Sequence, residues 1–259
     1  MPPDRSTFTA LNLPSSFSLP QCMDYFTLAA DPNTDLWRKP PGRDTSTAPI
    51  VYTSLRHPFV IAEVTVSADW EMEWDQGGLV IFAGPAPGQL PPDFWEAQTH
   101  LPSRTSNRTS DATRCKWVKA GLEFSAGAVN ASSVSATHDG ADWSLSPLTI
   151  PNLPTPIRSL RIKLERIGNA LWVWYQVPSV SPYAYPDSSP VAGGSWRKLR
   201  EVTWFFWGVE DKCVHVGVYA SRPSNFSMSS TLFESRNGSR SSSNAADGLV
   251  VEFEDLEIF

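Results

Sequence analysis

The sequence is poor in the side chains that bind metals and form disulfides, with three cysteines and four histidines in 259 residues. Cys22, Cys115 and Cys213 stand far apart, a spacing that suits neither a disulfide framework nor a zinc site. His57, His100, His138 and His215 are equally scattered and make no HxH or HExxH pattern. Glycine-rich dinucleotide and phosphate loops are absent, as is a GxSxG nucleophile elbow. No metal and no cofactor is therefore expected. Charge is sparse at 19%, and its balance is acidic, with a formal net charge of -6 and a pI near 5.2. An acidic chain of this kind excludes a broad basic face for nucleic acid or for an anionic membrane. No apolar run approaches the roughly 20 residues that span a bilayer. Met1 to Gln21 lacks a basic start followed by an apolar stretch, so no signal peptide is expected and the expected location is cytoplasmic. Asn107, Asn130, Asn225 and Asn237 each open an N-x-Ser/Thr sequon. In a Ser-rich cytoplasmic chain these are expected by chance and stay unmodified.

What the chain has in quantity is aromatic and turn-forming residues: 11 Trp, 23 Pro and 15 Gly, with 41% hydrophobic residues overall. Apolar residues recur mostly with period two, as in half-buried strands, and helical periodicity is missing. Strands are predicted at 59–68, 77–83, 116–124, 132–138, 160–166, 170–177, 201–206, 214–221 and 249–259. Gly168-Asn169 separates two of them as a tight hairpin turn. Many short strands with Gly/Pro turns predict an all-β sandwich or barrel. The length suits one such domain over 1–259. Three polar, Pro/Ser-rich segments interrupt it, at 84–114, 178–195 and 222–247, and read as long loop insertions.

Side-chain alternation splits each predicted strand into two faces. In 116–124, Val118, Ala120, Leu122 and Phe124 point to the core, which leaves Trp117, Lys119 and Glu123 on the other side. Leu171, Val173 and Tyr175 share a face opposite Trp172 and Trp174. Val214, Val216 and Val218 lie opposite His215 and Tyr219, and Leu79 and Ile81 lie opposite Gln76. If these outer faces belong to one curved sheet, its concave side collects Gln76, Trp117, Lys119, Glu123, Trp172, Trp174, His215 and Tyr219. Aromatic walls with a few convergent polar groups make a small-molecule site.

The order Asp75-Gln76-Gly77-Gly78-Leu79, then Trp117-Val118-Lys119-Ala120-Gly121-Leu122-Glu123-Phe124, then Asp142-Trp143-Ser144 resembles a concanavalin A-like domain-of-unknown-function family that includes the yeast regulator-of-enolase protein. The resemblance runs from about Trp37 to the C-terminus. It implies a jelly-roll sandwich of two antiparallel sheets, one of them concave, with recurring polar positions at Gln76, Lys119, Glu123 and Asp142. It implies no particular reaction.

Three functions from different classes remain open. The first is a cofactor-free pocket for an apolar organic metabolite. Such a pocket either binds only or catalyses cyclisation, isomerisation or cycloaddition by orientation and polarisation. In the catalytic version Lys119 donates a hydrogen bond and Glu123 acts as base, while Gln76, Trp117, Trp172, Trp174, His215 and Tyr219 bind the substrate. The second is a carbohydrate-binding module or glycoside hydrolase. For hydrolysis, Glu71, Glu73 and Asp75 would share one strand face and supply the carboxyl pair. The third is a regulatory domain with a protein partner. No nucleic-acid or membrane partner is expected in any of them.

Overall fold

The period-two pattern becomes a two-sheet β-sandwich in the computed structural model, which describes residues 3–40, 44–88, 115–148, 157–177, 194–209, 213–224 and 248–259. In chain order the strands are β1 Phe8–Leu11, β2 Tyr25–Ala30, β3 Leu36–Trp37, β4 Thr45–Ser46, β5 Ile50–Ser54, β6 Ile61–Ala68, β7 Gln76–Ala83, β8 Lys116–Ser125, β9 Ala128–Thr137, β10 Gly140–Pro147, β11 Ser159–Ile167, β12 Ala170–Gln176, β13 Arg197–Val202, β14 Val214–Ser221 and β15 Leu249–Ile258. A seven-stranded sheet runs β1-β5-β14-β7-β8-β9-β10, and a six-stranded sheet runs β13-β12-β11-β6-β15-β2. The paired strands in both are antiparallel, and β3 and β4 form a small separate ribbon. The fold is an all-β jelly-roll sandwich.

The main core lies between the two sheets. Leu79, Ile81, Val118, Ala120, Leu122, Val214, Val216 and Val218 from one sheet meet Val64, Val66, Leu160, Ile162, Leu164, Leu171, Val173, Val251 and Phe253 from the other. These are the alternate positions that the sequence assigns to the interior. The opposite face of the seven-stranded sheet is not bare. Ile50, Tyr52, Val80, Phe82, Trp117, Val134, Ala136 and Tyr219 form a second buried cluster there with Leu36 of the ribbon and Ala48 just after it. Hence β7 is buried along its whole length, on both faces.

Arg38, just after β3, fixes the ribbon in place. Its Nη1 donates to the carbonyls of Cys115 and Thr137 at 2.8 and 3.0 Å, and its Nε pairs with Asp44 at 2.8 Å. One guanidinium thus satisfies two backbone acceptors on different strands and holds a carboxylate that re-enters β4.

Several expectations shift in detail. The strand expected at 132–138 begins earlier, at Ala128, because Ala126-Gly127 makes a two-residue hairpin turn with both φ values positive, 53° and 76°. Alanine is not a signal for that backbone, which favours Asn, Asp or Gly. The Glu73 carboxylate supports the turn by accepting from the Ala126 amide at 2.9 Å and the Ser125 hydroxyl at 2.7 Å. The strand expected at 201–206 ends at Val202, and the turn after it plants Phe205 and Phe206 in the core. Strands β1 to β5 and β10 have no counterpart in the sequence reading.

The insertions at 84–114, 178–195 and 222–247 fall largely outside the described residues, and so does His100. Asn130 is described, and it is no sugar acceptor in this fold. It is buried in β9 with its amide donating to the Ala128 carbonyl at 3.0 Å. Asn107, Asn225 and Asn237 lie outside the described residues. Among the described residues no helix is long and apolar enough to cross a membrane.

Candidate functional site

The second cluster covers only part of the outer face. Where β7, β8 and β9 run past the end of the ribbon, a cleft of about 330 Å³ opens. Its floor is Gln76, Lys119, Glu123 and Val134; its walls are Trp37, Trp74, Trp143, Asp35, Lys39 and Pro223. The alternation of β7 and β8 puts Gln76 directly across from Glu123, and Gly78 across from Gly121. The two glycines are required. A Cβ on Gly121 would sit 1.9 Å from the Gly77 carbonyl oxygen, and one on Gly78 would sit 2.1 Å from that of Ala120.

Lys119 is 1% exposed and Glu123 2% exposed. A buried charge needs a partner, and Lys119 has two. Its Nζ lies 3.2 Å from Asp35 Oδ1 and 5.5 Å from the centre of the Tyr219 ring. Asp35 is held by its own backbone, whose carbonyl accepts from the amides of Thr47 and Ala48. On Glu123, a single oxygen, Oε2, accepts from Ser132 Oγ at 2.6 Å and from Trp143 Nε1 at 3.2 Å. Burial pushes the Glu123 carboxyl above its ordinary value. The Ser132 hydrogen bond, the Lys119 charge and the Trp143 N–H oppose that, while Asp35 adds to it. Tyr219 is fully buried beneath the cleft; burial raises its phenol well above the usual range, and its hydroxyl lies 3.4 Å from Gln76 Oε1.

Two of the walls are tied to one buried ion pair. Arg222 Nε and Nη2 each donate to one oxygen of Asp75 at 2.8 Å. Asp75 also accepts from the amides of Glu71 and Met72, which closes a tight turn. That turn holds Trp74 at φ 69°, a left-handed conformation rare for a bulky residue, and leaves its ring 47% exposed at the cleft. On its other side Arg222 accepts from the Thr34 amide at 3.2 Å and donates its own amide to Thr34 Oγ1 at 3.0 Å, next to Asp35. Arg222 and Pro223 therefore belong to the site, not to a surface insertion.

The expected site residues separate into three groups. Gln76, Lys119 and Glu123 meet in the cleft, with Tyr219 directly below. Trp117 and His215 share the same outer face but sit at its other end. Trp117 is buried in the second cluster, and His215 stacks on Phe82 at 4.8 Å and meets Ser54 Oγ at 2.8 Å. Burial lowers the imidazole's proton affinity.

Trp172 and Trp174 are corrected outright. They lie on β12 of the six-stranded sheet, so the two outer faces do not join in one concavity. There the two indoles stack at 5.8 Å, with Lys198 4.7 Å over Trp172 and Lys163 5.2 Å over Trp174. Lysine ammonium groups sit over rings that a sugar platform would leave open. Alternation identifies the side of a strand but not its sheet.

Asp142 is likewise away from the cleft, with its carboxylate 2.9 Å from Arg200. The Glu71, Glu73 and Asp75 row is not a strand face either. Glu73 holds the Ala126 turn and Asp75 holds Arg222. Among the described residues no cluster of His, Cys, Asp and Glu could hold a metal ion. Cys115 is buried, and desolvation pushes its thiol up to about 12, which leaves it unreactive.

Sequence reasoning missed Asp35, Trp37, Lys39, Trp74 and Trp143. The first three arrive on a ribbon too short to show periodicity. Trp143 was visible in the Asp-Trp-Ser triplet, but its role depends on β10 lying beside β9.

A jelly-roll with a tryptophan-walled cleft on one sheet, floored by a buried lysine and a buried glutamate, is thus the class that fold and site define. The chain belongs to a family described as protein of unknown function (DUF1349), which matches residues 11–258. It is 33% identical over 204 residues to the uncharacterized protein AN7484 of Emericella nidulans, covering 77% of this chain and 78% of that one. A functionally unknown protein from Saccharomyces cerevisiae has a similar structure, with a TM-score of 0.58 and 20% identity over 99% of this chain and 98% of that chain. A xylan β-1,4-xylosidase from Bacillus halodurans C-125 matches with a TM-score of 0.52 and 10% identity, over 98% of this chain but 37% of that one. At these identities the structural likeness is one of fold.

Proposed function

We propose that the protein binds a small, oxygen-rich ring compound, of which a sugar is the simplest, in the cleft floored by Lys119, Glu123 and Gln76. The observation that carries this reading is the arrangement of the indoles of Trp37, Trp74 and Trp143 around a buried ammonium and a buried carboxyl. Indole faces stack on the C–H faces of rings. The floor then reads oxygens. Among the described residues, Lys119 has N–H groups left beyond its bond to Asp35, and Glu123 has Oε1 left beyond the bonds at Oε2. A hydroxyl placed between them accepts from one and donates to the other. A purely apolar metabolite would leave these remaining donor and acceptor sites unused. The carbohydrate alternative therefore ranks ahead of the apolar-substrate reading. The volume lies at the low end of ligand pockets, about 300–1,000 Å³, and suits one or two rings.

Titration of the intrinsic tryptophan fluorescence with a panel of mono- and disaccharides tests this. Saturable quenching by at least one sugar, lost in Trp74→Ala and Lys119→Met variants that remain folded, is expected. A panel without response, or quenching indifferent to both substitutions, would overturn it.

One observation favours a catalytic version. A carboxyl that burial biases toward its neutral form, anchored at Oε2 and free at Oε1, is poised to give a proton to a ligand oxygen. Cofactor-free isomerisation or cyclisation fits that provision, with Lys119 polarising a carbonyl. Metabolite profiles of cells carrying the wild-type gene, the Glu123→Gln variant or no copy test it. A product made only by wild type supports catalysis, and identical profiles in all three remove it.

A further inference from the structure

One of the charged groups that line the cleft stands without a partner among the described residues. Its lining carries Lys39, Lys119, Asp35 and Glu123. Lys119 and Asp35 neutralise each other at 3.2 Å. Glu123 lies at the floor, 2% exposed, with its Oε2 bonded to Ser132 and Trp143. That leaves Lys39, which is exposed at the mouth and has no ion-pair or hydrogen-bond partner among the described residues. An unpaired cation at the mouth runs against the charge of the whole chain, which is -6.

The position of Lys39 is built, not accidental. It follows Arg38, which is 7% exposed and bonds across to two strands, and it follows Trp37, whose ring is a wall of the same cleft. The backbone that carries the ammonium is therefore fixed by a buried anchor one residue away. Lys39 lines the cleft and is exposed, on a stem that is flexible. A neutral ring would gain nothing from it. A ring with an acidic substituent would stack between the indoles, offer hydroxyls to the floor and place its anion at the mouth.

Resting on the reading of the cleft as a ring-binding site, we infer that its ligand is an acidic ring, a sugar or similar polyol carrying a carboxylate or phosphate, and that Lys39 selects the anion. Lys39 is a specificity-determining residue in this scheme. Lys119, paired to Asp35 and 1% exposed, serves the hydroxyls instead. The two cations divide the ligand between them, one at the mouth and one at the floor.

The experiment titrates the full chain with glucose, glucuronate and glucose 6-phosphate, following tryptophan fluorescence, at low and at raised salt. An anionic sugar should bind about fivefold more tightly than glucose, the worth of one half-exposed ion pair. The advantage should shrink with added salt, because the mouth is open to screening ions. In Lys39→Met the anionic and neutral sugars should bind alike. Preference for glucuronate over the phosphate, or the reverse, identifies the anion. Equal binding of all three sugars to the wild-type chain, or a preference that survives Lys39→Met, overturns the selection by Lys39 and leaves the ring site standing. Failure of every sugar to bind removes the ring site, and the acidic ligand with it.

Discussion

The ammonium of Lys119 and the carboxylate of Asp35 meet at 3.2 Å across a separation of 84 residues, one on strand β8 and the other on the segment leading into β3. This contact binds the ribbon to the sheet and decides the charge of the cleft floor. Removing one member of a fully buried pair costs about 3–5 kcal/mol. Asp35 keeps 22% of its side-chain surface, so solvent relieves part of that. Lys119→Met is expected to lower stability by about 1–3 kcal/mol, read as a shift in the urea midpoint. Combining it with Asp35→Asn should cost less than the sum of the two single changes. Strict additivity would show that the pair contributes no coupling.

Glu123 gives a pH signature. Its folded-state carboxyl is raised by burial above its unfolded value. Between those two values the folded chain holds a proton that the unfolded chain has released, so stability falls as pH rises through the window. It is full below the unfolded value and is lost above the folded one. Glu123→Gln keeps an acceptor for Ser132 and Trp143 but cannot ionise. Melting curves across the acid-to-neutral range should show the variant gaining on the wild type as pH rises. A constant difference would mean that Glu123 titrates normally.

Trp74 holds a strained backbone for the sake of an exposed ring. A non-glycine residue at φ 69° costs of order 1–3 kcal/mol. Asparagine visits that conformation more readily, and little packing is lost because the indole is 47% exposed. Trp74→Asn should therefore leave the melting temperature unchanged or raise it, while abolishing sugar-dependent fluorescence change. A clear loss of stability would mean that the ring serves the fold and not the cleft.

Gly121→Ala should be among the most damaging single-methyl additions in the sheet. Its Cβ would meet the Gly77 carbonyl oxygen at 1.9 Å, and backbone on a neighbouring strand cannot swing aside. Overpacking typically costs about 1–3 kcal/mol, and here the strand pairing itself must shift. Gly127→Ala serves as the control, since nothing lies within 4 Å of its added Cβ, though its φ of 76° adds local strain. Denaturation of the two variants side by side should find Gly121→Ala far less stable. Near-equal midpoints would mean that the sheet accommodates a methyl at its tightest point.

The amino-acid order alone determines which residues of each long strand face the interior. Val118, Ala120 and Leu122 are core, and Lys119 and Glu123 are not, because a strand turns its side chains alternately and the apolar set must be buried. It also determines the all-β class, since the apolar spacing has no helical period. Tertiary structure decided what the other face meets. Trp172 and Trp174 alternate as Trp117 does, yet they stand on the opposite sheet, because strand order is a long-range property that local spacing does not encode. The same holds for Asp35, Trp37 and Lys39, which a two-residue strand and one buried arginine bring over β8. Short elements carry too little periodicity to be seen, and their place is set by contacts from distant parts of the chain.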